Sequence, residues 1–431
     1  MEMNAVAPFV ILIGLIVLGL PISFCLGGAG LIGIWVMTGS WNGVMNILGT
    51  TPFTSVAEYV LTTIPMFIFM AHLSAYGGLA QKLYDATSNW LSHIRGGLAI
   101  ASVFAVMIFG AMSGASTAAA SVMSKICIPN MRRYGYSDTL SAGVVGVGAT
   151  TDILIPPSVG MVIYSVMTGT SLGKLLIAGI VPGVIVCLFL ILCIFVWVTV
   201  RPSDAPQAAG VPWAQRWRSL LTVLPTVLLI IMVLVFLYAG IATPTEVGAI
   251  GAFFAAVIGI FLGRLTWAGI VDAMKETINT SAMIFLIFIG ANIFGNFIML
   301  SRFPQVLMTI IAELNLGPWA VLSGVLIAYF VISMFMDEVP LLIITLQLTF
   351  QIIAGFGFNP IWFGVICMLM VSMGLVFPPV GIDAFIVSAS ANIDLTKVYK
   401  GTTIMMTAIV LTLVLVMVFP SVVLWLPSHM H

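Results

Sequence analysis

GAMSGASTAAA at residues 110–120 and IPPSVG at residues 155–160 interrupt two otherwise apolar helical runs. Glycine, serine and a double proline at membrane depth leave carbonyls and N–H groups without helical partners, and hydrocarbon cannot satisfy them. The freed groups must therefore line a site enclosed by protein. Half-helix ends of this kind, with their dipoles and free carbonyls, suit an ion or a solute near the bilayer midplane. The two breaks are thus expected to hold a solute and a cation.

Outward from them, the composition is that of a membrane protein: 61% hydrophobic residues, 6% charged and a mean hydropathy of +1.22. Apolar runs of about 20 residues, enough to span a bilayer, recur from end to end. Basic and acidic residues both number 14, so no basic surface for nucleic acid is expected. Cys25, Cys127, Cys187, Cys193 and Cys367 show no metal-ligand spacing and read as small buried residues. Glu2 is the one charge ahead of the first apolar run, which favours a retained span with an outer N-terminus over a cleaved leader.

The first apolar segments cover 5–20, 22–38 and 52–76, and residues 81–95 form a mixed, interfacial amphipathic piece. Residues 98–128 suit a re-entrant hairpin with its tip in the small-residue run. A broken helix follows at about 139–169, then a span at about 175–200. The polar stretch RPSDAPQAAGVPWAQRWR at 201–218 is the linker between a first unit, 1–200, and a second, 219–431. The second unit carries spans at about 219–241, 245–263 and 279–300, an amphipathic piece at 302–316, a hairpin at about 319–357, a broken helix at about 360–391 and a last span to about 425.

The units look like repeats. Pro21 and Pro244, Gly28 and Gly251, Gly114 and Asp337, and Lys174 and Lys397 are each 223 residues apart, and Pro156-Pro157 and Pro378-Pro379 are 222 apart. Paired interruptions in two halves point to a transporter. With Arg95, Arg132 and Arg133 inside, threading the spans places Lys82, Arg201, Arg216, Arg218, Arg264, Lys275, Lys397 and Lys400 inside too, with Lys174 and Arg302 outside and Lys125 on a hairpin arm. The hairpins then enter from opposite faces. The expected fold is an all-α polytopic membrane protein of two inverted repeats, each with a re-entrant hairpin and a broken transmembrane helix, with both termini outside.

Each motif has a plainer reading. The run 110–120 could be a close helix contact, since small residues let membrane helices approach; the hydroxyls of Ser113, Ser116 and Thr117 favour a site, because Na⁺ is a hard cation wanting several oxygens. Pro156-Pro157-Ser158 could be a simple kink, but Pro378-Pro379 repeats it. Asp152, Asp337, Glu338 and Asp383 lie near the breaks, where a carboxylate costs about 2.5–3.5 kcal/mol and marks a pathway. Glu338 best suits a solvated loop end and Asp152 suits it least. His72 reads as structural. There is no phosphate loop, no H-E-x-x-H and no nucleophile–base–acid set, so no enzyme and no ATPase is expected.

Several stretches resemble the large, DctM-like membrane subunit of tripartite ATP-independent periplasmic (TRAP) transporters: GLPISFCLGGAG at 19–30, IPMFIFMAHLSAYGGL at 64–79, FGAMSGASTAAA at 109–120, IPPSVGMVIYSVMTGTSLGKLLIAGIVPG at 155–183, GIATPTEVGAIGAF at 240–253, MDEVP at 336–340 and FPPVG at 377–381. The resemblance implies an elevator-type, Na⁺-coupled permease of the bacterial inner membrane with no cofactor. It also implies two partners, a small four-helix membrane subunit and a periplasmic solute-binding protein, and a small organic acid as substrate.

Carried onto this chain, the resemblance implies one Na⁺ site at Ser113, Gly114, Ser116, Pro156, Pro157 and Ser158, and a second at Asp337, Phe377, Pro378, Pro379 and Gly381. It implies a solute site at the hairpin tips, with Ser113, Ala115, Thr117, Met336 and Pro340. Ala115 stands in place of a common serine, Phe377 of a threonine, Asp152 of a glycine and Asp383 of an asparagine. Asp152 and Asp383 could pair a cationic group on a zwitterionic solute, bind a further cation or carry a proton. A channel, an intramembrane enzyme and an organic-anion carrier that works without a binding protein remain alternatives.

Overall fold

A computed structural model describes residues 10–15, 18–207 and 210–430. The expected outer positions of the two ends fall on residues 1–9 and 431, outside the described residues. Among those, the secondary structure is helical, without strands. Seven helices are long and apolar enough to cross a membrane: Tyr59–Tyr76, Leu172–Val200, Trp213–Tyr238, Pro244–Phe261, Trp267–Leu300, Glu338–Gly355 and Leu395–Val418.

Four helices form a frame. Ile22–Thr38 lies along Trp267–Leu300, and Pro244–Phe261 lies along the Thr63–Tyr76 part of the first long helix. Glycine sets the first contact: a Cβ on Gly30 would come within 2.8 Å of the Phe294 backbone, and one on Gly290 would collide with the Ser23 carbonyl. In the second, the buried Thr63 and Thr245 hydroxyls share a 2.7 Å hydrogen bond, and the Thr243–Glu246 capping box fixes where Pro244–Phe261 begins.

Three boundaries differ from the sequence expectations. The apolar segment read as 52–76 is two pieces: a largely exposed helix Trp41–Val56 ends near Ala57, and a 3₁₀ turn at Tyr59–Thr62 leads into Thr63–Tyr76. Polar Asn42, Asn46, Thr50 and Thr54 hid the helical period of Trp41–Val56 from a reading based on hydrophobicity. The linker is shorter than 201–218, because Pro212 starts a helix at Trp213. Trp213 and Trp217 both pack edge-on against Trp90, at 6.1 and 5.5 Å, and so attach this helix to the amphipathic helix Leu79–Leu91. Trp267–Leu300 begins earlier than the span at 279. Its 34 residues measure about 51 Å, beyond the roughly 30 Å of hydrocarbon, so its first turns lie at the interface.

The frame holds a core of interrupted helices. Gly97–Ser113 and Ser116–Arg133 form one hairpin, and Pro318–Ser333 and Glu338–Gly355 form another. Asp138–Thr150 and Val159–Thr168 are halves of one broken helix, and Pro360–Gly374 and Ile382–Ala391 are halves of the second. The Pro156-Pro157 and Pro378-Pro379 peptide bonds are cis. The Ser372 hydroxyl donates to the Thr150 carbonyl at 3.1 Å, and these residues are 222 positions apart. Residues one repeat period apart touch where two related units meet at their common axis.

Candidate functional site

The hairpin tips are made by short capping segments. Gly114 ends the first arm in the left-handed region (φ 61°), its N–H on the Gly110 carbonyl at 2.8 Å, and Ala115 is the extended residue before the second arm. Only glycine takes that φ readily. The Val159 N–H donates to the Gly114 carbonyl at 3.3 Å, so the first tip rests on the break of its own repeat. At the other end, the Gly381 N–H donates to the Met334 carbonyl at 2.8 Å, which seats the second tip on the second break. Asp337 caps the arm Glu338–Gly355, its side chain accepting from the Glu338 N–H at 2.8 Å, and Ser158 caps Val159–Thr168, accepting from the Met161 N–H at 3.3 Å.

Each hairpin also crosses to the other repeat. Ser116–Arg133 packs on Ile382–Ala391, and Glu338–Gly355 packs on Val159–Thr168. A buried carboxyl group sits at each crossing. Asp383 lies beside the Ser116 hydroxyl, and Glu338 Oε2 lies 3.4 Å from where a Cβ on Gly160 would be. The acid comes from the broken helix in one crossing and from the hairpin in the other. Glu338, which the sequence suggested as a solvated loop end, is only 2% exposed.

A cavity of about 640 Å³ opens between the tips and the frame. Ser113, Ala115, Ser116 and Thr117 line it from the first tip, and Asp337, Glu338 and Val339 from the second. The frame adds His72, Tyr76, Glu276 and Thr280, and the first hairpin's outgoing arm adds Ser121 and Lys125. Glu276 is oriented by two neighbours, His72 Nδ1 at 3.0 Å and the Tyr76 hydroxyl at 2.8 Å. His72 is therefore part of the cavity wall rather than packing alone. The signal was its position one turn before Tyr76 on a single helix face.

Four residues expected at the solute site are absent from this lining. Met336 and Pro340 flank the second tip, Pro340 being buried in the first turn of its helix. Asp152 and Asp383 are fully buried beneath the tips, Asp152 under Gly110, where an added Cβ would come within 2.7 Å of the Asp152 Cβ. Neither can meet a solute in the cavity directly. Around the breaks, Ser113 Oγ donates to the Gly110 carbonyl at 3.1 Å, while the Ser116 hydroxyl has no partner. Pro156, Pro157 and Ser158 are buried against the first tip. At the second break Phe377 packs on Phe330 at 5.3 Å, and the Tyr399 hydroxyl donates to the carbonyls of Pro379 (2.9 Å) and Val380 (2.7 Å). Some of the freed carbonyls thus already have protein partners. Among the described residues no three His, Cys, Asp or Glu side chains converge as a metal-holding group.

A second cavity, about 500 Å³, lies between Trp41–Val56, the C-terminal half of Trp267–Leu300 and the arm Glu338–Gly355. Its polar lining is Thr51, Thr54, Ser55, Glu58, Asn292, Asn296, Gln347 and Gln351. It sits on the second hairpin's arm and the same long frame helix, as the first cavity sits on the first hairpin's.

Paired hairpins, paired broken helices and a helical frame define a polytopic membrane protein of transporter architecture. The crystal structure of the Alcanivorax borkumensis YdaH transporter has a related fold, with a TM-score of 0.59 over 90% of each chain at 13% identity. The chain belongs to the family described as the tripartite ATP-independent periplasmic transporter DctM component, whose family model matches residues 9–422. It is 33% identical over 377 residues to the C4-dicarboxylate TRAP transporter large permease protein DctM of Pseudomonas aeruginosa, covering 87% of this chain and 88% of that one. It is 30% identical over 417 residues to the ectoine TRAP transporter large permease protein TeaC of Halomonas elongata, covering 96% and 97%.

Proposed function

We propose that this chain is the permease subunit that carries a small organic acid or zwitterion across the bacterial inner membrane, coupled to Na⁺. The observation that carries the reading is the cavity bounded by both hairpin tips, Ser113–Thr117 and Asp337–Val339, with the frame as its other wall. A solute there touches the two hairpins and the frame together, so its binding depends on where the core sits against the frame. Differential affinity of this kind biases a two-state carrier.

Na⁺ at Ser113, Gly114, Ser116 and Pro156-Pro157-Ser158, and at Asp337 with Phe377-Pro378-Pro379 and Gly381, would order the tips that face the solute. The core would then slide against the frame as an elevator. A small four-helix subunit would widen the frame and a periplasmic solute-binding protein would deliver the substrate; an isethionate relative in Oleidesulfovibrio alaskensis, named as permease protein DctMQ, is 30% identical over 394 residues that make up 60% of its length. Relatives named for C4-dicarboxylates and ectoine support an organic acid or a zwitterion as the solute class.

The test is uptake into proteoliposomes holding this chain and its small subunit, with candidate organic acids and zwitterions, an inward Na⁺ gradient, and the binding protein present or omitted. Uptake needing both Na⁺ and the binding protein is the expected result. Uptake indifferent to the binding protein would replace this reading with a stand-alone carrier.

A further inference from the structure

We infer that Asp152 and Asp383, with the Ser116 hydroxyl, form a buried site for one further monovalent hard cation. The inference rests on the cation-coupled reading above and adds a third ion to it. Its two carboxylates belong to neither of the Na⁺ sites expected at the breaks.

The two acids come from different repeats and meet at one place. Asp152 lies in the turn Thr151–Ile153, which packs on both arms of the first hairpin. Asp383 lies in the first turn of Ile382–Ala391, which packs on the hairpin's second arm, and it sits beside Ser116. The carboxyl groups are near enough to repel one another. Both residues are 0% exposed and Ser116 is 1% exposed. All four carboxylate oxygens and Ser116 Oγ are buried without a hydrogen-bond partner.

Five unpartnered oxygens inside apolar packing call for a positive charge, because buried charges are otherwise paired or coordinate metals. Among the described residues no Lys, Arg or His forms an ion pair with either acid. A cationic group on the solute is excluded by position, since neither acid lines the cavity at the tips. A transition metal is disfavoured because the donors are all oxygen and no three acid, His or Cys side chains converge. Oxygen-only donors suit a hard cation. Ser116 gives it a route: the residue lines the solute cavity, and its hydroxyl adjoins Asp383 on the buried side. An ion here would join the first hairpin to the second repeat, where the ion expected at Pro156-Pro157-Ser158 joins it to the first.

Equilibrium binding of ²²Na⁺ to the purified full chain with its small subunit tests the site without knowledge of the solute. Asp152→Asn, Asp383→Asn and the double variant should each bind one Na⁺ fewer than the parent, the double losing no more than the singles. Ser116→Ala should keep the site and weaken its affinity by about tenfold, as removal of one charge-assisted contact does. In Na⁺-free buffer the Asn variants should melt at or above the parent's temperature, since a buried repulsion is gone, and gain less from added Na⁺; this separates lost binding from lost folding. Variants that bind as many Na⁺ as the parent would overturn the site and leave the Na⁺-coupled reading standing. A parent that binds no Na⁺ would overturn both.

Discussion

Gly114 shows how much one residue settles here. Its positive φ turns the chain at the first tip, its carbonyl receives the Val159 N–H, and an added Cβ would lie 3.1 Å from the Pro157 carbonyl. Ala in the left-handed region costs about 1–2 kcal/mol, and here it would also press on backbone that cannot swing away. Gly169 has a similar φ of 68° but nothing within 4 Å of an added Cβ. Gly114→Ala should therefore lower the melting temperature more than Gly169→Ala and also weaken Na⁺ stabilisation, which Gly169→Ala should leave intact. Thermal unfolding with and without Na⁺ reads both, and equal effects would remove the tip's special role. The turn itself was legible, because Ser113-Gly114 interrupts an apolar run. That Glu338 is buried was not: the residue follows a break in the sequence, and only the crossing of its helix over Val159–Thr168 encloses it.

At the scale of elements, two contacts fix the order of the helices and differ in how they were encoded. Asp138–Thr150 crosses Leu395–Met405 backbone to backbone. A Cβ on Gly143 would come within 2.5 Å of the Gly401 carbonyl group, and one on Gly401 would collide with the Thr139 carbonyl. The clash is with main chain, so rotamer changes give no relief. Gly401→Leu should abolish a monodisperse elution profile, whereas Gly324→Ala, with open space around it, should elute as the parent does. The second contact is aromatic. Trp90 packs against Trp213 and Trp217 and donates its indole N–H to the Arg216 carbonyl at 3.1 Å, and the Arg216 guanidinium lies over the Trp213 ring at 5.0 Å. Each aromatic pair contributes about 0.5–1.5 kcal/mol beyond burial. Trp90→Ala should lower the melting temperature clearly and Trp267→Ala, on a ring 79% exposed, very little. The breaks, proline pairs and amphipathic residues 81–95 could be read from local composition. The docking of Trp213 could not, because it pairs residues more than 120 positions apart inside a stretch whose proline, alanine and glutamine suggested a plain linker.

Across the whole molecule, the two cavities are the feature that a sequence reading could not reach, since each is built from three or more elements distant in the chain. They lie along the two hairpins in corresponding ways, one on the arm leaving the first tip and one on the arm leaving the second. If the repeats are inverted, as the placement of Arg95, Arg132 and Arg133 implies, the cavities face opposite sides of the membrane, and the solute site at the tips is continuous with the inner one. Cysteine accessibility decides this. Cys25, Cys127, Cys187 and Cys367 are buried and Cys193 is half-buried, so replacing Cys193 by serine leaves a low background. Ser121→Cys, in the cavity at the tips, should react with a membrane-impermeant maleimide from the cytoplasmic side alone, and Gln351→Cys, in the second cavity, from the periplasmic side alone. Labelling of both from one face would rule out the inverted arrangement. An elevator adds a second, separable outcome: with Na⁺ and solute present, Ser121→Cys should lose part of its inner reactivity as the first hairpin's arm moves against Thr63–Tyr76, while the side from which each position reacts at rest stays the same.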